Sequence, residues 1–258
     1  MKPSIKFSLG VVLLSLAGAL AVHAQSVTTN FADPSRTGLL RVDLIYGRIH
    51  VIGSDTRNVV IETRSPSGTA DSAPGSLREL AKQPQVTLDR DSNRIKVTTD
   101  NPGIPADLEI HVPNQTNLQL STVNQGDIQV DNVSGEFEIG SVNGSISLSK
   151  VSGSVLAHTV NGQVKATLLK VTPDKPMAFT SLNGAIDVTL PSDTKATLRL
   201  RSDNGTVSTD LPLTATDPAS RRKNEFEVNK IVSGRLNGGG AQIEVRTFNG
   251  DVNVRKGP

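Results

Sequence analysis

The sequence predicts an all-β chain built as a β-helix or β-solenoid-like repeat with a unit of about 20 residues. Three observations predict it. Asn-Gly recurs in one frame, at Asn143-Gly144, Asn161-Gly162, Asn183-Gly184, Asn204-Gly205 and Asn249-Gly250, with a lengthened copy at Asn124-Gln125-Gly126. The Asn positions lie 19, 18, 22 and 21 residues apart before a gap of 45 that contains Asn237-Gly238. Apolar and polar residues alternate on both sides of each Asn, as strands with one buried face do.

In chain order, residues 1–24 read as a secretory leader. Lys2 and Lys6 precede an apolar run over 7–21, and Val22-His23-Ala24 offers the small-residue cleavage pattern. The run is shorter than the ~20 residues of a bilayer-spanning helix. Residues 25–35 are expected to be an N-terminal linker, and 36–258 a single β-repeat domain. Leu40 and Val42 before Tyr46-Gly47, with Ile49 and Val51 after it, echo the repeat, and Tyr46 stands in the Asn place. Residues 59–64 read as a strand. The Ser, Pro and Gly-rich stretch 65–75 reads as a loop. Ser76 and Glu79 form a capping box that opens a short helix over 77–82, so 65–85 is an insertion. Strands resume at 86–88 and 95–98, joined through Asp91-Ser92-Asn93, and again at 108–112 before Pro113. A second corner of this kind is Leu190-Pro191. The polar stretch 212–224 is a second insertion.

Aligned on the Asn, the array has apolar columns. Six and four residues before it stand Leu118/Leu120, Phe137/Ile139, Val155/Ala157, Met177/Phe179, Leu198/Leu200 and Ile243/Val245. One residue before it stand Val123, Val142, Val160, Leu182 and Phe248, a column that Asp203 breaks. Three and five residues after it stand Ile146/Leu148, Val164/Ala166, Ile186/Val188, Val207/Thr209 and Val252/Val254. Asn-Gly supplies the positive φ of a tight corner, and Val-Ser-Gly at 133–135 and 151–153 gives each unit a second corner. Two architectures fit: stacked coils, or a β-meander or sandwich in which Asn-Gly closes hairpins. The near-constant interval with two corners favours stacked coils. Asn side chains bonding from coil to coil would explain the column, and so would turn propensity alone.

Chemistry is sparse. Residues 1–24 carry Lys2, Lys6 and no acid, so the remaining chain has 27 − 2 = 25 basic and 25 acidic residues. That balance gives no electrostatic case for nucleic acid. Arg221-Arg222-Lys223 reads as a solvated loop. Cys is absent, which for an exported chain suits a bacterial envelope. His50, His111 and His158 stand singly, away from metal-ligand spacing. No nucleophile elbow, zinc motif or phosphate loop occurs. Asp127, Asp187 and Asp251 lie near the corners on the polar phase, where a β-helical enzyme would carry its carboxylates. The matching places elsewhere hold Ser147, Lys165 and Ser208, so a solvated face is the expected role. No catalytic residue, cofactor or metal is expected.

The frame Ser121-Thr122-Val123-Asn124, Ser141-Val142-Asn143-Gly144, Thr159-Val160-Asn161-Gly162, Ser181-Leu182-Asn183-Gly184 and Thr247-Phe248-Asn249-Gly250, behind a leader, resembles the bacterial putative-adhesin domain family. The resemblance covers about residues 36–255. It implies a right-handed β-helix-like fold and a periplasmic, cell-surface or extracellular place. The family has no agreed catalytic residues to carry over. The expected function is a non-catalytic binding or structural module, with glycan or envelope protein as partner. The alternatives are a polysaccharide-active enzyme and an accessory sensor of envelope stress.

Overall fold

The computed structural model describes residues 25–64, 84–215 and 230–257, and among them every regular element is a β-strand. The first four are β1 (Gln25–Asn30), β2 (Gly38–Tyr46), β3 (Ile49–Ser54) and β4 (Asn58–Arg64). Next come β5 (Val86–Asp91), β6 (Arg94–Thr99), β7 (Asp107–Pro113), β8 (Thr116–Asn124) and β9 (Ile128–Asp131). β10 (Ser134–Asn143), β11 (Ile146–Asn161), β12 (Val164–Val171), β13 (Met177–Asn183) and β14 (Ile186–Leu190) continue the array. β15 (Ala196–Asn204), β16 (Val207–Thr209), β17 (Thr214–Ala215), β18 (Lys230–Leu236), β19 (Gln242–Asn249) and β20 (Val252–Lys256) complete it.

The fold is a β-solenoid. The arm before each corner Asn pairs in parallel with the same arm of the neighbouring unit, and the arm after it does likewise. The two arms of a unit do not pair with each other, so the hairpin alternative does not hold. The physical reason lies in the corner backbone: the Gly144 N–H donates to the Asn161 carbonyl of the next unit, not back across a hairpin turn. Pre-Asn arms stack into one face, sheet A, and post-Asn arms into another, sheet B. The long strand β11 runs from B into A.

Counted along the stack there are eight coils. They are β6/β7, β2/β3, β8/β9, β10 with the start of β11, the rest of β11 with β12, β13/β14, β19/β20 and β15/β16. Inside, the aligned columns stack on themselves: Leu118, Phe137, Val155, Met177, Ile243 and Leu198 are all buried, as are Ile128, Ile146, Val164, Ile186 and Val252. Each such aliphatic or aromatic side chain contributes about 1.5–3 kcal/mol by leaving water.

Stack order is not chain order. The first coil laid down, β2/β3, is second in the stack, because β6/β7 docks outside it. The last laid down, β19/β20, slots between β13/β14 and β15/β16. The 45-residue gap is the excursion this requires. Both skipping connections start at a proline, Pro113 and Pro191, a residue with no N–H to give to a ladder.

Both ends of the parallel stack are closed by antiparallel strands. β5 pairs with β6, and β4 pairs with β7 and carries β1 on its other side. At the far end β18 pairs with β15, and β17 adds to β18. The linker expected over 25–35 is therefore corrected: 25–30 is a strand, held by six register pairs to β4. The helix expected over 77–82, the leader over 1–24, the loop over 65–75 and the Arg221-Arg222-Lys223 cluster lie outside the described residues. Of 212–224 only β17 and its approach are described, and they cover β18, not the coils themselves.

Candidate functional site

The corner that the sequence singled out is the most repeated surface of the molecule. Its six asparagines form one unbroken amide ladder. Asn143 Nδ2 donates to Asn124 Oδ1 at 3.1 Å, Asn161 to Asn143 at 2.8 Å, and Asn183 to Asn161 at 2.8 Å. Asn249 then donates to Asn183 at 2.7 Å, and Asn204 to Asn249 at 3.0 Å. An amide carries both donor and acceptor, so every inner rung is satisfied on both sides.

The glycines do a different job from the one expected. Gly126, Gly144, Gly162 and Gly205 do not have positive φ. A Cβ on any of the corner glycines Gly126, Gly144, Gly162, Gly184, Gly205 and Gly250 would stand within contact distance of the adjacent coil's glycine carbonyl. Glycine is required because backbones meet there. Positive φ at the corner is kept by Gly184 and Gly250, at 158° and 142°, and left-handed φ falls also on Gln125, the extra residue, and on Asn132 and Lys150 at the second corner. Asn237-Gly238, which looked like a further copy, is a true left-handed turn between β18 and β19, with φ of 48° and 92°.

A second ladder escaped the sequence reading. The hydroxyl two residues before each Asn points inward and is buried in all six coils: Thr122, Ser141, Thr159, Ser181, Ser202 and Thr247. Each donates to a corner glycine carbonyl of the adjacent coil. Thr159 Oγ1 reaches Gly144 O at 2.9 Å, Ser181 Oγ reaches Gly162 O at 3.0 Å and Ser202 Oγ reaches Gly250 O at 2.7 Å. The signal was present: a Ser or Thr recurs in a column whose neighbours in phase are apolar.

The acidic candidates are used by the stack. Asp127 Oδ1 accepts from the Ser145 N–H at 2.7 Å, and Asp251 Oδ1 from the Thr206 N–H and hydroxyl, both at 2.8 Å. Asp107 accepts in the same way from the Arg48 N–H and also binds its guanidinium. That hydrogen bond, and then the carboxylate charge, hold Arg48 above the ordinary guanidinium range. Asp187 belongs to a different column, where it accepts from Asn253 Nδ2 at 2.9 Å. Each thus joins one coil to the next, and none of the three faces another as a catalytic pair. On the outer face of sheet B, Gln129, Ser147, Lys165, Asp187, Asn253 and Ser208 run in register beside His50, which meets Asp131 at 2.8 Å. His111 lies 3.4 Å from Glu109.

Sheet A has a different exterior. The column just before the Asn faces outward, and with Ile45 it forms a continuous apolar ridge over six successive coils. Ile45, Val123, Val142, Val160, Leu182 and Phe248 are between 36% and 47% exposed. A shallow groove of about 320 Å³ runs beside it between Arg41, Glu138 and His158. The His158 ring fills the space over Gly140.

Among the described residues no group of three or more His, Cys, Asp or Glu converges as a metal site. No described helix is long and apolar enough to cross a membrane. What the arrangement offers is repeated polar rows on the corner and on sheet B, and an apolar row on sheet A.

A family model described as Toastrack DUF4097 matches residues 89–255. Among solved structures the chain is similar to a putative cell adhesion protein from Clostridium sporogenes, at 10% identity over 91% of this chain and 100% of that one, with a TM-score of 0.45. It is also similar to a putative adhesin from Bacteroides fragilis, at 10% identity over 90% and 96%, with a TM-score of 0.42. A putative adhesin from Parabacteroides distasonis matches at 11% identity over 91% and 97%, with a TM-score of 0.33. No curated protein matches the chain.

Proposed function

We propose that this chain, which belongs to the Toastrack DUF4097 family, is exported by the leader over 1–24 and works at the bacterial envelope as a non-catalytic binding module for glycan. One observation carries the reading. The carboxylates placed where a β-helical enzyme would hold its acid and base are engaged in coil-to-coil bonds. The polar rows of sheet B are left as a flat, regular surface. Such a surface engages an extended polar chain through many weak hydrogen bonds, and Gln129, Ser147, Lys165, Asp187 and Asn253 stand in successive coils at an interval of about 4.8 Å.

The test has two arms. A glycan array probed with the chain, with Gln129 and Lys165 both replaced by Ala as control, is expected to give signals that the control loses. Equal signals from both forms, or none above background, would count against the proposal. In parallel, uronate-rich polysaccharides are incubated with the chain and with Asp187→Asn. Turnover that disappears in the variant would replace the binding reading by an enzymatic one. N-terminal sequencing of the exported protein is expected to begin at Gln25.

A further inference from the structure

We propose that the apolar ridge of sheet A is a self-association surface on which a second copy docks face to face, antiparallel, about a two-fold axis. That axis runs along the strand direction between the coils of Val142 and Val160. The stack has eight coils, and this line divides it in half, with four on either side. A rotation about it keeps each outward column opposite itself and reverses the coil order. Val142 then meets the partner copy's Val160, Val123 meets its Leu182, and Ile45 meets its Phe248. All six residues are exposed in the single chain, and in the two outer pairs a larger side chain faces a smaller one.

The flanking charges fit the same operation. β2 presents Arg41, Asp43 and Ile45 outward, and β19 presents Glu244, Arg246 and Phe248 in the same three columns. Reversal sets Arg41 against Glu244 of the second copy and Asp43 against its Arg246. Both contacts are of opposite sign, and each occurs twice by symmetry. Docking two copies with coils running in the same direction would instead set Asp43 against Asp43 and Arg246 against Arg246. The outermost coils do not extend the match, since Lys96 would face Arg199. The paired face is therefore the six inner coils.

Its extent sets the strength. Six coils at about 4.8 Å span roughly 24 Å, and the three outward columns make the face about 15–20 Å wide. That area lies below the roughly 800 Å² per partner of a stable complex. The dimer is accordingly a weak, reversible one. Near the middle of the face the His158 ring lies over Gly140.

The absence of cysteine makes the geometry directly testable. Val123 and Leu182 stand three coils apart in one chain, roughly 14 Å, which is too far for an internal disulfide. Full-length protein carrying both Val123→Cys and Leu182→Cys is expected to give a covalent dimer with a thiol-specific bifunctional linker of about 10 Å, the spacing of sheets packed face to face and too short for the distance within one chain, and neither single variant is. Sedimentation of the unmodified chain should show dimer growing with concentration, and Val142→Glu should weaken it by about tenfold or more with an unchanged melting temperature. A chain that stays monomeric at every concentration overturns the proposal. So do single-cysteine variants that cross-link as well as the double one, which would mean random encounter.

Discussion

A methyl group added at Gly162 would press against the Gly144 carbonyl, while one added at Gly238 meets nothing within 4 Å but sits at a φ of 92°. The two positions separate the two uses of glycine in this chain. Gly162→Ala is expected to destabilise by about 2–3 kcal/mol through overpacking between coils. Gly238→Ala is expected to cost about 1 kcal/mol, through left-handed backbone alone. Denaturant unfolding of both variants checks this, and equal losses would mean that the corner does not pack as described. The dipeptide Asn-Gly was legible in the sequence as a corner signal. What it could not reveal was the cause, because a glycine selected by close backbone approach and one selected by positive φ are the same letter. Only the position of the neighbouring carbonyl distinguishes them. The hydroxyl column was harder still. Ser and Thr are ordinary strand residues, and only their burial against a glycine carbonyl gives Thr159 or Ser202 a specific role.

At the scale of the element, the amide ladder makes the corner cooperative. Asn161 both donates and accepts, whereas Asn204 ends the ladder and only donates. Asn161→Ala removes two hydrogen bonds and Asn204→Ala one. Expected losses are about 1–2 and about 0.5–1 kcal/mol, at the modest value of partly exposed bonds. Thermal melts of the two variants give the comparison, and the order of the two melting temperatures is the discriminating result. Strand positions followed closely from the alternation of apolar and polar residues. The column just before the Asn did not. Val123, Val142 and Phe248 are as apolar as the core, yet stand one residue out of its phase and so face water. Their regular recurrence is what turned an apparent extension of the core into an exterior ridge.

At the scale of the whole molecule, the first and the last coils laid down both lie inside the stack. β2/β3 and β19/β20 are each held on both sides by neighbouring coils. A solenoid laid down in simple order frays from its terminal repeats, which have one neighbour each. Here the C-terminal coil has two. Amide exchange over 243–256 is therefore expected to be as slow as over β13 and β14, and slower than over β16, whose Val207 is only partly buried. Rapid exchange at the C-terminal coil would show that it does not hold its place between β14 and β16.

By itself the sequence determined the unit: its length, its two arms, its Asn corner and the residues that face inward. These are local matters, fixed by side-chain alternation and by what a corner tolerates. The tertiary structure alone decided which coil neighbours which. Six of the eight coils present nearly the same amide, hydroxyl and backbone ladder, so among them adjacency carries no distinct local signature. The connections at Pro113 and Pro191 and the antiparallel strands at the two ends select the order.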